Sequence, residues 1–270
     1  MSGRLTQAVV LAAGRGMRMR RPDPSARLTP EQAAAAERGW KGLMPIGGHP
    51  FLSYGLSALA DAGVDRACVV VPADDGAPRE RYGRSGGRVR LAFAEQAKPA
   101  GSADALLAAE AFADGSDVLV LNSDNLYPVS AVRALVGLPG SGLPVFERET
   151  LLATSNFTRE RVDAFAVLDV GPDGFLRGIR EKTPGAAESP GRVLLSMNLW
   201  RFSSGIFEAC RRVPISTRGE RELPQAVAWA ILHRGERFRA VPCAEGVLDL
   251  STRADVAEVE RRLAGTEPHP

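Results

Sequence analysis

Lysine is nearly absent from this chain. Of its 34 basic side chains only Lys41, Lys98 and Lys182 are lysines, so 34 − 3 = 31 are arginines; with Ala and Gly also abundant, this bias reads as GC-rich coding rather than function. Arginine favours planar, bidentate contacts, whereas lysine carries a compact charge on a flexible stem that suits a moving phosphate oxygen. Each lysine is therefore a rare choice, and two of them fall in Lys41-Gly42-Leu43-Met44-Pro45-Ile46 and Glu181-Lys182-Thr183-Pro184. Cysteine is scarce too. Cys68, Cys210 and Cys243 are odd in number, widely spaced and set in or beside apolar runs, which reads as reduced core thiols and argues against disulfides or a zinc site. Thirty-four basic against 32 acidic side chains give a formal charge of +2, too balanced to draw in nucleic acid or an anionic membrane. No apolar stretch approaches the roughly 18 residues of a membrane span and no apolar signal core stands at the start, so a cytoplasmic protein is expected. Internal repeats are missing, including any hexapeptide array of the kind that builds a β-helix; self-association is left open.

What is present begins at the first strand-like run. Ala8-Val9-Val10-Leu11-Ala12-Ala13-Gly14-Arg15-Gly16-Met17-Arg18-Met19 closes an apolar segment with a basic loop whose glycines let backbone N–H groups surround an anion. Met19 stands where a dinucleotide-binding pattern needs its third glycine, and no Walker lysine follows. NAD enzymes and P-loop ATPases are thereby disfavoured, although an ordinary strand-to-loop turn remains open.

Strand-like runs at 6–12, 66–71, 89–94 and 117–122 alternate with helical patterns at 50–62, 102–113 and 128–136. That alternation predicts a mostly parallel, helix-covered sheet. Loops 14–18, 95–102 and 123–127 each follow a predicted strand, so they should meet beyond the carboxyl ends of the sheet. From 164 onward longer β-like runs are expected at 164–170, 175–180 and 192–202, then helices at 204–212, 222–234 and 252–263. A single domain spans residues 1–270 in this reading, with a nucleotide-binding half over about 1–137 and a second half over about 138–270. Residues 20–40 interrupt the first half with Pro22, Pro24 and Pro30 before a helix-compatible stretch at 30–38. This insertion is read either as an exposed segment or as a lid that brings an arginine over bound phosphates.

Two aspartates end apolar runs: Asp124 in Val118-Leu119-Val120-Leu121-Asn122-Ser123-Asp124-Asn125, and Asp249 in Gly246-Val247-Leu248-Asp249-Leu250-Ser251. Either could be a turn or capping residue. As a pair without basic neighbours in sequence they suit a shared hard cation. Gln96 precedes Gly101 by five positions, and its amide is either a surface group or a reader of a nucleobase edge, with Ser102 opening the next helix. His49, His233 and His269 have no role in this chemistry and read as structural or exposed.

Taken in order, these segments resemble the sugar-1-phosphate nucleotidylyltransferases, including the glucose-1-phosphate thymidylyl- and uridylyltransferases, over about residues 7–259. The resemblance implies a Rossmann-like α/β fold of the nucleotide-diphospho-sugar transferase type, without a β-helix domain. It implies a nucleoside triphosphate and a sugar 1-phosphate as substrates, and Mg²⁺ as cofactor. By this resemblance Leu11, Ala12, Ala13, Gly14, Arg15 and Gly16 line the nucleotide, Arg18 and Lys41 bind phosphate, and Gln96, Gly101 and Ser102 face the base. Asp124 and Asp249 would hold Mg²⁺. Asn125, Phe165, Ala166, Glu181, Lys182 and Asn198 would take the acceptor, with Lys182 on its phosphate. Gln96 at this spacing favours UTP or dTTP, its amide donating to O4 and accepting from N3–H of the base.

Departures from the family pattern are specific. Phe165-Ala166-Val167 replaces Tyr-Gly-Val, Ser123 replaces the glycine before the metal aspartate, Ser196-Met197-Asn198 replaces Asn-x-Gly, and the 19–40 loop is longer. They point to an unusual sugar or a cyclitol phosphate. The alternatives are a cytidylyl-, guanylyl- or adenylyltransferase for another phosphorylated substrate, or a non-catalytic nucleotide sensor.

Overall fold

The computed structural model describes residues 5–83, 87–180, 192–216 and 219–270. Its centre is the strand Gln7–Leu11, which runs parallel to Arg66–Pro72 on one side and to Val118–Asn122 on the other. Arg90–Gln96 extends the parallel part beyond Arg66–Pro72. Past Val118–Asn122 the direction changes: Trp200–Phe202 pairs antiparallel with it and joins it to Gly142–Glu147. Gly142–Glu147 takes Arg239–Cys243 in parallel and Leu194–Leu195 in antiparallel pairing, and Val167–Val170 and Leu176–Arg180 complete a ten-stranded sheet. The fold is thus a mixed, mostly parallel sheet flanked by helices, as expected, with the longer ladders the parallel ones.

Alternation along the buried strands feeds a core on each face. Ala8 and Val10 enter one core with helices Phe51–Ala62 and Val129–Val136, while Val9 enters the other with Ser102–Ala108, Ile206–Arg212 and Leu223–Arg234. Strands covered on both faces must be apolar throughout, which is why their runs stand out in the sequence.

A third, smaller core explains the 20–40 insertion. Helix Pro30–Arg38 forms with the bounds read from the sequence, opened by Thr29 and Gln32 in a reciprocal capping box with Pro30 in its first turn. Its Ala35 and Ala36 pack with Met19, Met44, Ile46, Phe51, Tyr54, Val256 and Val259. Gln32 Nε2 donates to Pro45 O (3.0 Å) and Glu260 Oε1 (2.8 Å), tying the insertion to the C-terminal helix Asp255–Leu263. The helix ends at Gly39, whose left-handed φ of +74° a side chain rarely adopts. Gly39 also presses on the glycine loop: a Cβ there would lie 2.5 Å from Arg15 O, and one on Gly16 would lie 2.3 Å from Gly39 O. The insertion is therefore docked against the loop rather than a free exposed segment.

Several elements differ from the sequence reading. The helix expected at 102–113 is interrupted at Ala109 into Ser102–Ala108 and Glu110–Ala113. Ala164 and Phe165 turn out of helix Arg159–Asp163, with Ala164 N bonded to Arg161 O and Phe165 N to Val162 O, so that strand starts only at Val167. The 192–202 run is two short strands, because Asn198 turns the chain at φ +55°. Strands Gly142–Glu147 and Arg239–Cys243 escaped notice because each contains a proline, which ordinarily argues against a paired strand. Cys68 and Cys210 are buried free thiols, whereas Cys243 is only half-buried.

Replacing Gly39 by alanine forces a Cβ into Arg15 O and strains a left-handed φ. Gly39→Ala should lower the unfolding free energy by about 1–3 kcal/mol in urea titrations. An unchanged midpoint would show that the insertion does not press on the loop.

Candidate active site

Beyond the carboxyl ends of the parallel strands lies a cleft of about 1030 Å³. Leu11, Ala12, Ala13, Gly14, Arg15 and Gly16 line it, with Arg18, Lys41, Gln96, Gly101, Ser102 and Asp124. The three loops expected to meet do meet. Ala12 N makes a last strand-like bond to Val70 O (2.9 Å) and Ser123 N reaches Leu11 O (3.1 Å), after which the chain is free to wrap an anion. Gly16, at φ +60°, starts the turn Met17–Arg20, and buried Met19 anchors it.

Asp124 stands two residues beyond the buried strand Val118–Asn122, and Lys41 Nζ donates to its Oδ2 at 2.7 Å. Asp249 arrives from the opposite end of the chain. Asn125–Leu126 pairs antiparallel with Leu248–Asp249, in register Asn125 to Asp249, and Leu250 N donates to Asp124 O at 2.9 Å. The backbone of Asp249 is held on both sides by Asn156, which donates to its carbonyl (2.7 Å) and accepts from its N–H (2.8 Å). Its Oδ2 accepts from Asn125 Nδ2 (2.9 Å) and Ser251 Oγ (3.2 Å), and its Oδ1 from Arg161. Burial, and then the negative charge of Asp124, push the Asp249 carboxyl above the usual carboxylate range, against the pull of Arg161. Arg161 also donates to Asp255 at 2.7 Å, and Asp255 Oδ2 caps Ser251 N (3.0 Å) and Thr252 N (2.7 Å). One guanidinium thus fixes the whole 249–255 segment.

Other residues sit differently from expectation. Asn125 and Asp249 are both buried and line no part of the cleft, the Asn125 amide being turned onto Asp249 Oδ2, whereas Asp124, in the turn before strand Asn125–Leu126, lines it. The Gln96 amide cannot donate to a base as expected: its nitrogen already donates to Gly101 O (3.0 Å) and Asp104 Oδ2 (2.9 Å), leaving only its carbonyl. Phe165, Ala166 and Asn198 lie outside this cleft lining. They connect instead to the Asp249 side: Phe165 meets Phe157 edge-on at 4.9 Å, and Arg161 covers Phe157 at 5.2 Å. Next to Asn198, Met197 O accepts from Tyr127 OH at 2.6 Å, and Tyr127 in turn reaches Asn125 Oδ1 at 3.4 Å. Glu181 and Lys182 lie outside the described residues. The insertion contributes Arg20, Glu37, Arg38 and Trp40 to the cleft wall, with Arg20 Nη2 on Arg38 O (2.7 Å) and Trp40 Nε1 on Asp75 Oδ2 (2.6 Å). Arg161, Asn156, Trp40 and Asp75 were not foreseen, since nothing local marks them.

The family model of the MobA-like NTP transferase domain matches residues 8–145, slightly more than half of the chain, and the chain belongs to that family. Along 95% of its length it is 28% identical to the UTP–glucose-1-phosphate uridylyltransferase AglF of Haloferax volcanii, covering 96% of that protein. A glucose-1-phosphate thymidylyltransferase of Streptomyces griseus is 28% identical over 97% of this chain and 67% of its own length. A UDP-glucose pyrophosphorylase solved with UDP-glucose shares the fold, with a TM-score of 0.75 at 16% identity over 97% of this chain and 100% of that one. The expected resemblance to sugar-1-phosphate nucleotidylyltransferases agrees with these relatives. Among the described residues no helix is long and apolar enough to cross a membrane.

Removing Arg161 leaves two buried carboxylates without their cation. Arg161→Met should cost about 3–5 kcal/mol of stability at neutral pH. Asp249 already resists ionisation, so the folded variant takes up protons more readily than the unfolded chain. The deficit should therefore shrink as pH falls. Urea titrations at neutral and mildly acidic pH check both statements; an unaltered neutral-pH midpoint contradicts them.

Proposed function

We propose that this protein transfers a nucleotidyl group from a nucleoside triphosphate, with UTP or dTTP favoured, to a sugar 1-phosphate or related cyclitol phosphate. The products are an NDP-sugar and pyrophosphate. The observation that carries the reading is the cleft formed by the glycine loop and the Lys41–Asp124 pair, with the buried strand of Asp249 paired beside it to Asn125–Leu126. In this mechanism the acceptor's phosphate oxygen attacks the α-phosphorus in line and pyrophosphate leaves, so no protein nucleophile is required. Alignment and charge neutralisation do the catalysis. Backbone N–H groups of the loop with Arg15, Arg18 and Lys41 hold the triphosphate, and Arg20 and Arg38 extend the basic wall.

The donor set fits a magnesium ion. It is all oxygen, it is anionic, and a cation would offset the Asp124 charge that, after burial, raises the Asp249 carboxyl. Among the described residues no group of three or more Asp, Glu, His or Cys side chains is placed to hold a metal, so phosphate oxygens and water would have to complete the shell. Asp124 and Asp249 would hold Mg²⁺, which when bound neutralises phosphate charge. Asn125 then positions Asp249, and Glu181, Lys182, Phe165, Ala166 and Asn198 form the acceptor side by resemblance.

For the base, the free Gln96 carbonyl accepts from N3–H of uracil or thymine. The O4 donor must come from elsewhere, and the Gly101 N–H, which makes no hydrogen bond among the described residues, is suited to it. Intact Arg18, Lys41, Asp124 and Asp249 speak against a non-catalytic sensor. The relatives named for glucose 1-phosphate make that the first acceptor to test. Ala166 and Asn198 in place of glycines favour a less usual sugar or a cyclitol. The reading places the enzyme in the cytoplasm and leaves room for a homo-oligomer.

Pyrophosphate release, screened over the common nucleoside triphosphates and a panel of sugar and cyclitol 1-phosphates, tests the proposal. The expected result is release that needs both substrates and is highest with UTP or dTTP. Gln96→Ala should flatten the ranking of bases by about tenfold, the worth of one hydrogen bond lost to a wrong partner. No release with any pair would refute the reading; a wide preference for ATP or GTP would refute the base assignment alone.

A further inference from the structure

An amide side chain reads a base in one of two ways, because its carbonyl and its NH₂ exchange places on rotation by half a turn. What decides between them at Gln96 is the surroundings of its nitrogen. Gln96 is buried at the end of strand Arg90–Gln96 and lines the cleft. Its Nε2 donates to a backbone carbonyl, Gly101 O at 3.0 Å, and to a carboxylate, Asp104 Oδ2 at 2.9 Å. Rotating the amide would lose both bonds and set its carbonyl oxygen against two acceptors. Gly101 O alone would hold the orientation weakly; the bond to an ionised partner is the stronger of the two.

Asp104 sits at the third position of helix Ser102–Ala108, whose N-cap is Gly101. A carboxylate at that position ordinarily reaches back to the N-cap N–H in a capping box. Here it turns to Gln96 instead, and Gly101 N–H is left without a hydrogen bond among the described residues. The Gly101 loop is itself fixed from behind. Arg221 N donates to Ala100 O (2.7 Å), Ala103 N donates to Arg221 O (3.0 Å), and a Cβ on Gly101 would lie 2.2 Å from Arg221 O.

We propose that Asp104 is the positioning residue that sets the polarity of the base site: by holding the Gln96 nitrogen inward and sparing the Gly101 N–H, it presents one acceptor beside one donor. That pair matches N3–H and O4 of uracil or thymine. Cytosine offers the reverse, an acceptor at N3 and a donor at N4. Asp104 makes no contact with substrate in this scheme and acts only through Gln96 and Gly101. The inference rests on the nucleotidyl-transfer reading and on Gln96 facing the base.

The test is the ratio of kcat/KM for UTP over CTP at a fixed acceptor, in the parent, Asp104→Ala and Asp104→Asn, each checked for folding by thermal melting. The parent should favour UTP. Asp104→Ala should lower the ratio about tenfold, the loss of one orienting hydrogen bond. Asp104→Asn, whose carbonyl can still accept from Gln96, should fall between. A role in helix stability alone would depress both substrates together and leave the ratio unmoved. If Asp104→Ala melts far below the parent, the ratio for Asp104→Asn decides: a drop supports the role, and a ratio within twofold of the parent overturns it. A parent that does not distinguish UTP from CTP would overturn the base reading itself. A parent that distinguishes them, with a well-folded Asp104→Ala doing so equally, overturns only the role of Asp104.

Discussion

Two like charges held side by side are the constraint around which the molecule is arranged. Asp124 and Asp249 are brought together by a two-residue antiparallel pairing and by the bond from Leu250 N to Asp124 O, and burial first, then the charge of Asp124, raises the pKa of the Asp249 carboxyl. The fold answers with a separate cation for each carboxylate. Lys41 comes from the end of the insertion and Arg161 from a helix in the second half. Every major part of the chain therefore has a stake in this corner.

The insertion gains its meaning from the same arrangement. Its helix is seated on a small core shared with the C-terminal helix, its terminal Gly39 interlocks with Gly16, and the chain then delivers Trp40 and Lys41 to the cleft. Position along the chain thus follows function: the segment that supports the glycine loop from outside also carries the lysine that meets Asp124. The C-terminal segment does the equivalent on the other side. Asp255 caps the 251–252 backbone while sharing Arg161 with Asp249, so helix Asp255–Leu263 and the second carboxylate are positioned by one guanidinium.

Much of this could be read from the sequence, for physical reasons that vary by residue. The strands at 7–11, 66–72 and 118–122 announced themselves because burial on both faces demands uninterrupted apolar runs. Helix Pro30–Arg38 was recoverable to the residue because its cap, its first-turn proline and its terminal glycine are all local signals. Asp124 and Asp249 stood out as charges ending apolar runs. Arg161 did not, being one of 31 arginines with nothing local to mark it. The direction of the Gln96 amide was misjudged because it is decided by Asp104, eight residues on, and Asn125 was misplaced because its pairing with Asp249, far along the chain, sets where it faces. Prolines within Gly142–Glu147 and Arg239–Cys243 hid two strands whose pairing is secured by their neighbours.

The central claim is that the paired aspartates form a divalent-cation site that works together with the bound triphosphate. Its most direct measurement is Mn²⁺ binding, by electron paramagnetic resonance, to the protein with a non-hydrolysable UTP analogue, compared between the parent and Asp124→Asn. The account predicts that the parent binds Mn²⁺ at least about tenfold more tightly than the analogue does alone, and that Asp124→Asn loses this gain while still binding the nucleotide. An equal gain in the variant would contradict it.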